Sequence, residues 1–337
     1  MKNNYKSPEI FLKTALAVVT SIFFILSIQA YAGQMKKSAS EPQSDSMLVL
    51  NSIERYSLSK NLEYLEDVSG ELSIDMVRSE NTENLWLKSG MDLPVFGLKN
   101  TIYWFRLKIK NEHKNNESWL LEIRNPILHE MELYRPAPDH SYSMVKSGII
   151  YPFKSREYDN INFVFKLDIP TYDEAYVYFR VKSHGLIILP LNLYSPKDYM
   201  GVKNSEYNAH FLFNGMLLIT ILYNLFISIS IRRRLHFYFL CYIVSFSIMQ
   251  NQYSGILSQF LFPEFSFFST NVFPFLIDLT ALLLLLFSLS FLDLRKTMPK
   301  LYRLSMPLFL ILGIHMTISL FTGFASSILS AVSLAAA

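Results

Sequence analysis

The stretch FISISIRRRLHFYFL, Phe226 to Leu240, sets three arginines and a histidine between two runs that are otherwise almost wholly apolar. The flanking segments, 208–231 and 237–257, are each long enough to cross a hydrocarbon layer about 30 Å thick, and so are 272–292 and 304–324. A single stretch of this kind could be a buried core helix. Four in succession, joined by short linkers, read as membrane spans.

The arginines orient those spans. Arg232, Arg233 and Arg234 occupy the first linker, and Arg295, Lys296, Lys300 and Arg303 lie in the third, DLRKTMPKLYR. The linker between them, SQFLFPEFSFFSTN, has no lysine or arginine. Basic linkers stay on the cytoplasmic side, so the chain just before Asn208 is expected outside. The N-terminus supports the same topology. Lys2, Lys6 and Lys13 precede an apolar run from Thr14 to Ile28, and AYA at 30–32 fits the small-x-small pattern of a cleavage site. Residues 1–32 therefore read as a secretory signal peptide, with an uncleaved anchor as the alternative.

Between a linker at 33–46 and a second at 201–207, residues 47–200 show strand patterning. In YWFRLKIK, Tyr103, Phe105, Leu107 and Ile109 share one face, opposite Trp104, Arg106, Lys108 and Lys110. This is the period-two signature of a half-buried strand. WLLEI places Trp119, Leu121 and Ile123 on one face, and the two runs are expected to pair as a hairpin. The alternation recurs in HEMELYR, INFVFKLDIP, AYVYFRVKS and GLIILPLNLYSP, which with SMLVLNS suggests about eight strands, and ELSIDMVRSE reads as a short helical excursion. The spacing predicts an all-β sandwich or jelly roll followed by an α-helical transmembrane bundle.

Several segments also resemble the bacterial 7TMR-DISM family, the seven-transmembrane receptors with diverse intracellular signalling modules. LEYLEDVSGELSIDMV, YWFRLKIKN, YPFKSRE and LPLNLYSPKDY resemble recurring elements of its type-2 extracellular domain. NGMLLITILYNLFISI and FLDLRKTMPKLYR are similar to its first span and its third-to-fourth linker. The resemblance implies an exported jelly-roll sensor, related in fold to carbohydrate-binding modules, on a seven-span bundle that leads to a cytoplasmic output. This chain departs from that plan: it is expected to carry four spans, a terminal segment 326–337 that could open a fifth, and no output module.

Chemistry-bearing motifs are sparse. The seven histidines show no close ligand spacing, and neither a GxSxG nor a phosphate-cradling loop occurs. No enzymatic activity, metal or cofactor is expected. The net charge of +3 comes without a basic stripe, which sets nucleic acid aside. For a small ligand, and a carbohydrate in particular, the candidates are aromatics beside arginine: Trp104, Arg106, Tyr176, Tyr178 and Arg180, with Arg156 in a loop. Stabilising cross-strand pairs are the plainer account of the same residues.

Within the spans, Asn214, Gln250, Asn251 and Asp278 are expected at one depth. They could form a polar cluster centred on Asp278 that couples the sensor to the helices, unless Asp278 merely reaches the hydrated interface. The expected function is a membrane receptor in the bacterial inner membrane with its β domain in the periplasm. The alternative is a non-signalling binding or adaptor protein anchored by its helices. Partners would be the lipid bilayer, the ligand, and either further copies of the chain or a separate output protein.

Overall fold

The computed structural model describes residues 47–323 apart from 52, 97–100, 113–117, 138–140, 170–172 and 184–186. The expected signal peptide, the linker 33–46 and the terminal segment 326–337 lie outside the described residues.

The large sheet runs in the order β4 (Leu87–Lys88), β3 (Glu63–Asp67), β6 (Ile102–Asn111), β11 (Glu174–Lys182), β8 (Glu130–Pro136) and β9 (Tyr142–Ser147). β1 (Met47–Leu50) pairs with β6 in parallel. The second sheet orders β10 (Phe163–Leu167), β7 (Trp119–Ile123), β13 (Leu191–Tyr194) and β2 (Arg55–Ser57). β5 (Val95–Phe96) and β12 (Ile187–Ile188) form a small ribbon. The main core lies between the two larger sheets. It holds Tyr103, Phe105, Leu107 and Ile109 from β6 against Trp119, Leu121 and Ile123 from β7 and Phe163, Phe165 and Leu167 from β10.

The strand faces therefore come out as the alternation predicts, but the expected β6–β7 hairpin does not form. β6 belongs to the large sheet and β7 to the other. Two runs with matching apolar faces can lie side by side or face each other across a core, and alternation fixes only which face is buried. Thirteen strands are present among the described residues rather than about eight, several being only two or three residues long. The helical excursion is α1 (Ile74–Val77), capped by the Ser73 hydroxyl, followed by a 3₁₀ segment at Glu80–Leu85.

The helical half begins without a linker. α2 (Pro196–Ile231) is a single helix of 36 residues that covers the expected linker 201–207. Ser195 caps its N-terminus by accepting a hydrogen bond from the Asp198 amide. Pro196 occupies the first turn, where its missing donor costs nothing. Arg232 closes the helix in the left-handed region at φ 53°, Arg233 is extended, and Arg234 starts α3 (Arg234–Tyr253). The short α4 (Ile256–Phe260) follows. After it come α5 (Phe273–Phe291), entered through one π-helical turn, then α6 (Leu294–Thr297) and α7 (Pro299–Thr322).

Three helical segments have the length and apolar composition of membrane spans: Pro196–Ile231, Phe268–Phe291 and Pro299–Thr322. The expected second span, 237–257, falls on α3, which ends at Tyr253 ahead of Gly255 and lies outside that set. Tyr238, Tyr242, Ser245, Gln250, Asn251 and Gln252 make α3 more polar. It tolerates them because it packs between α2 and α5 and gives part of its surface to protein instead of lipid.

Candidate functional site

The residues expected to bind ligand are brought together, but not on an open face. Trp104 pairs with Arg180, and Arg106 with Tyr178, across β6 and β11. Tyr176 and Tyr178 stack at 6.0 Å, and Trp104 stacks on Tyr134 at 5.5 Å. Segment 68–86, including α1, folds over this face. It makes a second small core of Leu65, Val77, Trp86, Ile102, Trp104 and Tyr178. Trp104 is fully buried, and Arg106 is nearly so. The exposure expected for these two and for Tyr178, which is buried as well, is thus corrected: segment 68–86 covers this part of the second face, so an outward-pointing residue in the alternation still lands in a core.

Arg106 is clamped within that cover. Its Nε donates to Glu63 at 2.6 Å, and its two terminal nitrogens donate to Glu83 at 2.6 and 2.8 Å. The Trp86 ring lies 4.6 Å from its guanidinium carbon. The hydrogen bond from Arg106 holds the Glu83 carboxyl below its usual range. Arg180 sits at the margin, 3.8 Å from Glu132, and donates to the Gly70 carbonyl.

Arg156 belongs elsewhere. Its guanidinium lies between the rings of Phe153 and Phe163, at 4.3 and 4.2 Å, and donates to the carbonyls of Asn160 and Ile161. It braces the loop between β9 and β10, which rests on the helical half. Lys154 pairs with Glu264, Gln259 donates to Asp159, and the Ile161 amide donates to the Tyr207 hydroxyl. Gly255, at φ +81°, lies against this loop, and a Cβ there would stand 3.3 Å from the Ile161 carbonyl.

Beside that loop is a polar group that sequence reasoning missed. Glu122 of β7 and Glu206 of α2 are both buried and both accept from the amide nitrogen of Asn162, each at 3.0 Å. Arg124 donates to Glu206 at 3.0 Å and stands 3.7 Å from Glu122. Burial, then the charge of Glu206, raises the Glu122 carboxyl above its usual range. Asn160 donates to the Tyr199 hydroxyl in the first turns of α2. The one available signal was a glutamate on the strand WLLEI, whose neighbours on both faces are apolar.

In the bundle, the expected cluster around Asp278 does not assemble. Asn251 donates to Asn214 at 2.6 Å, joining α3 to α2, whereas Asp278 bonds His315 of α7 at 2.7 Å. The cause is helical phase. Thr280, two residues from Asp278, bonds Ser245 of α3, and residues two apart on a helix point to nearly opposite sides. The same Ser245–Thr280 pair puts Asp278 level with Ser247, about 6 Å inward of Asn251 at 1.5 Å per residue. Gln250 has no part in these contacts among the described residues. Each adjacent pair of long helices is thus tied by at least one polar contact.

The register also sorts the ends of the bundle. Phe239 near the start of α3 meets Phe287 near the end of α5, at 5.0 Å. The two basic turns, with Arg232, Arg233 and Arg234 in one and Arg295, Lys296, Lys300 and Arg303 in the other, therefore lie at one end. The β domain contacts the opposite turn, through Pro263 and Glu264.

Residues 59–195 match the family described as 7TMR-DISM extracellular 2, and residues 206–337 match 7TM diverse intracellular signalling. A search of curated proteins found no match.

Proposed function

The chain belongs to the 7TMR-DISM family of membrane receptors with an extracellular sensor domain, and from that premise we propose that it is a bacterial inner-membrane receptor, delivered by a signal peptide, whose periplasmic domain senses a small ligand. The ligand class that suits the site is a carbohydrate or a related envelope component. Three aromatic rings and two arginines, Trp104, Tyr176, Tyr178, Arg106 and Arg180, converge under the cover formed by 68–86. Flat rings and planar donors are the chemistry that recognises sugars. Entry requires the cover to lift. Its exposed latch is Glu83, whose side chain is 58% accessible while it holds Arg106.

The observation that carries the receptor reading is the continuity of α2. The helix leaves the last strand without a break, and its Glu206 is bonded into β7 and the β10 loop. A displacement in the domain must therefore move the first span, and a ligand that prefers one arrangement shifts the helices by its difference in affinity. The domain acts as a binding module and the helices as transmitter toward a cytoplasmic output, with no catalytic step assigned to either.

The test uses the full chain in lipid nanodiscs. All three tryptophans, Trp86, Trp104 and Trp119, lie in the β domain, so their fluorescence reports ligand entry from a panel of mono- and oligosaccharides. Spin labels at Arg233→Cys and Lys296→Cys, in a Cys241→Ser background, report the spacing of the two basic turns. A sugar that changes both signals is the expected result. A sugar that changes fluorescence while the label distance stays fixed would make the protein an anchored binding module and overturn the receptor reading. A panel with no fluorescence response would overturn the carbohydrate assignment.

A further inference from the structure

The contact between β7 and α2 contains more carboxylate than its surroundings can neutralise. Two glutamates, both buried, face one arginine and one amide. With both carboxyls ionised, the group would carry one uncompensated negative charge away from water, which is costly in a low-dielectric site. The hydrogen bonding points the same way. Glu206 accepts from both Arg124 and Asn162, whereas Glu122 stands 3.7 Å from Arg124 and has the buried β13 tyrosine, Tyr194, for its other neighbour. Of the two, Glu122 is thus the carboxyl that takes a proton, while Glu206 keeps Arg124.

We propose that the Glu122–Glu206 pair is a proton-binding site that sets the attachment of α2 to the β domain, so that external protons are a second input to the receptor. The inference rests on the reading of α2 as the transmitting element. The titratable and charged groups around the pair are few. The residue that follows β7 is Arg124, β13 contributes Tyr194, and β2 contributes Arg55, which lies over the Tyr194 ring at 5.3 Å. α2 contributes Tyr199, Tyr207 and His210, all of which interact with the pair. The loop before β10 contributes the neutral amides of Asn160 and Asn162.

The sign follows from the charge count. Glu122 binds its proton more tightly in the assembled junction than in an unfolded chain, because burial and Glu206 both raise its pKa. The proton-linked stability of the junction is fully present below the ordinary glutamate value of about 4.3. It is lost as pH rises through the raised value, because the assembled state then gives up a proton that it held and the unfolded state had already lost. Deprotonation leaves the excess charge on the pair. The relief available is for Glu206, near the edge of the site, to draw the first turns of α2 toward water.

The experiment titrates the full chain in nanodiscs. Infrared difference spectroscopy follows the carboxylic-acid C=O band, and the labels at positions 233 and 296 follow the helices. In the otherwise wild-type protein, a C=O band should vanish as pH rises above the ordinary glutamate range, and the label distance should change with the same midpoint. Glu122→Gln should lose both the band and the distance change. Glu206→Gln should keep the band but lower its midpoint by at least about one pH unit, a tenfold loss of proton affinity, and it carries the test from the helix side should Glu122→Gln fail to fold. His210→Asn should leave the transition in place. A band that survives in Glu122→Gln, or a midpoint unmoved in Glu206→Gln, would overturn the site. A titration of the pair that leaves the labels still would overturn its role as an input. In each of these cases the sugar-driven distance change, measured on the same labels, would stand or fall by itself.

Discussion

The outer face of the large sheet and the junction with α2 each set one arginine against two glutamates, with different access to water. Arg106 makes three short bonds, and one of its two partners, Glu83, is open to solvent. Arg124 donates to Glu206 at 3.0 Å, and both of its carboxylate neighbours are buried. The nominal charge of the two groups is the same. Water carries the excess in the first, whereas nothing but the protein carries it in the second. Hydration thus makes a static clamp of one and a poised contact of the other.

That contrast can be broken at its strong end first. Arg124→Met leaves two carboxylates without a cation in a buried site, and should cost about 3–5 kcal/mol, read as a fall in the thermal unfolding midpoint of the full chain. Arg106→Met should cost less, about 1–3 kcal/mol, because Glu83 can turn into solvent and only Glu63 stays covered. The same thermal measurement would refute the contrast if the Arg106 substitution proved the more damaging. In the bundle, a double-mutant cycle of Asp278→Asn with His315→Gln should return a coupling of about 1 kcal/mol, the scale found for polar contacts between helices in lipid. Steric-trap or denaturant unfolding in a bilayer mimetic would measure it.

The smallest expected effect is that of pH on the cover. Arg106 depresses the Glu83 carboxyl, so the latch contributes stability above the ordinary glutamate value of about 4.3 and loses it as pH falls through the depressed one. Trp86 emission should shift to the red on acidification, and Glu83→Gln should show that shift already at neutral pH. The cover and the junction would then respond to acid in opposite senses, one loosening and the other tightening.

Much of the architecture was legible in residue pattern. The period-two run at Tyr103, Phe105, Leu107 and Ile109 names the core face of β6 correctly, and the arginine turn at 232–234 marks the end of the bundle remote from the β domain. What pattern does not carry is partnership. The β6–β7 hairpin failed because alternation is silent about which strand lies alongside. Trp104 and Arg106 looked exposed because alternation cannot see a segment from elsewhere in the chain folding over the second face. The Asp278 cluster failed for a related reason: neither the register of one helix against the next, which leaves Asp278 about 6 Å inward of Asn251 at 1.5 Å per residue, nor helical phase relative to neighbours is readable from each helix alone. His315 was visible as an ionisable residue in an apolar run, and only packing made it the partner of Asp278.

The 36-residue α2 has a mechanical consequence. At 1.5 Å per residue it is about 54 Å long, fixed near one end by Glu206 and by the bond between Tyr199 and Asn160. A tilt of about 5° about Glu206 would carry the arginine end, about 38 Å away at 1.5 Å per residue, sideways by roughly 3 Å, more than half the 5.4 Å pitch of one helical turn. The helix is therefore a lever with its short arm in the extracellular domain. An ångström-scale adjustment around two glutamates could become, on the cytoplasmic side, a movement large enough for another protein to read.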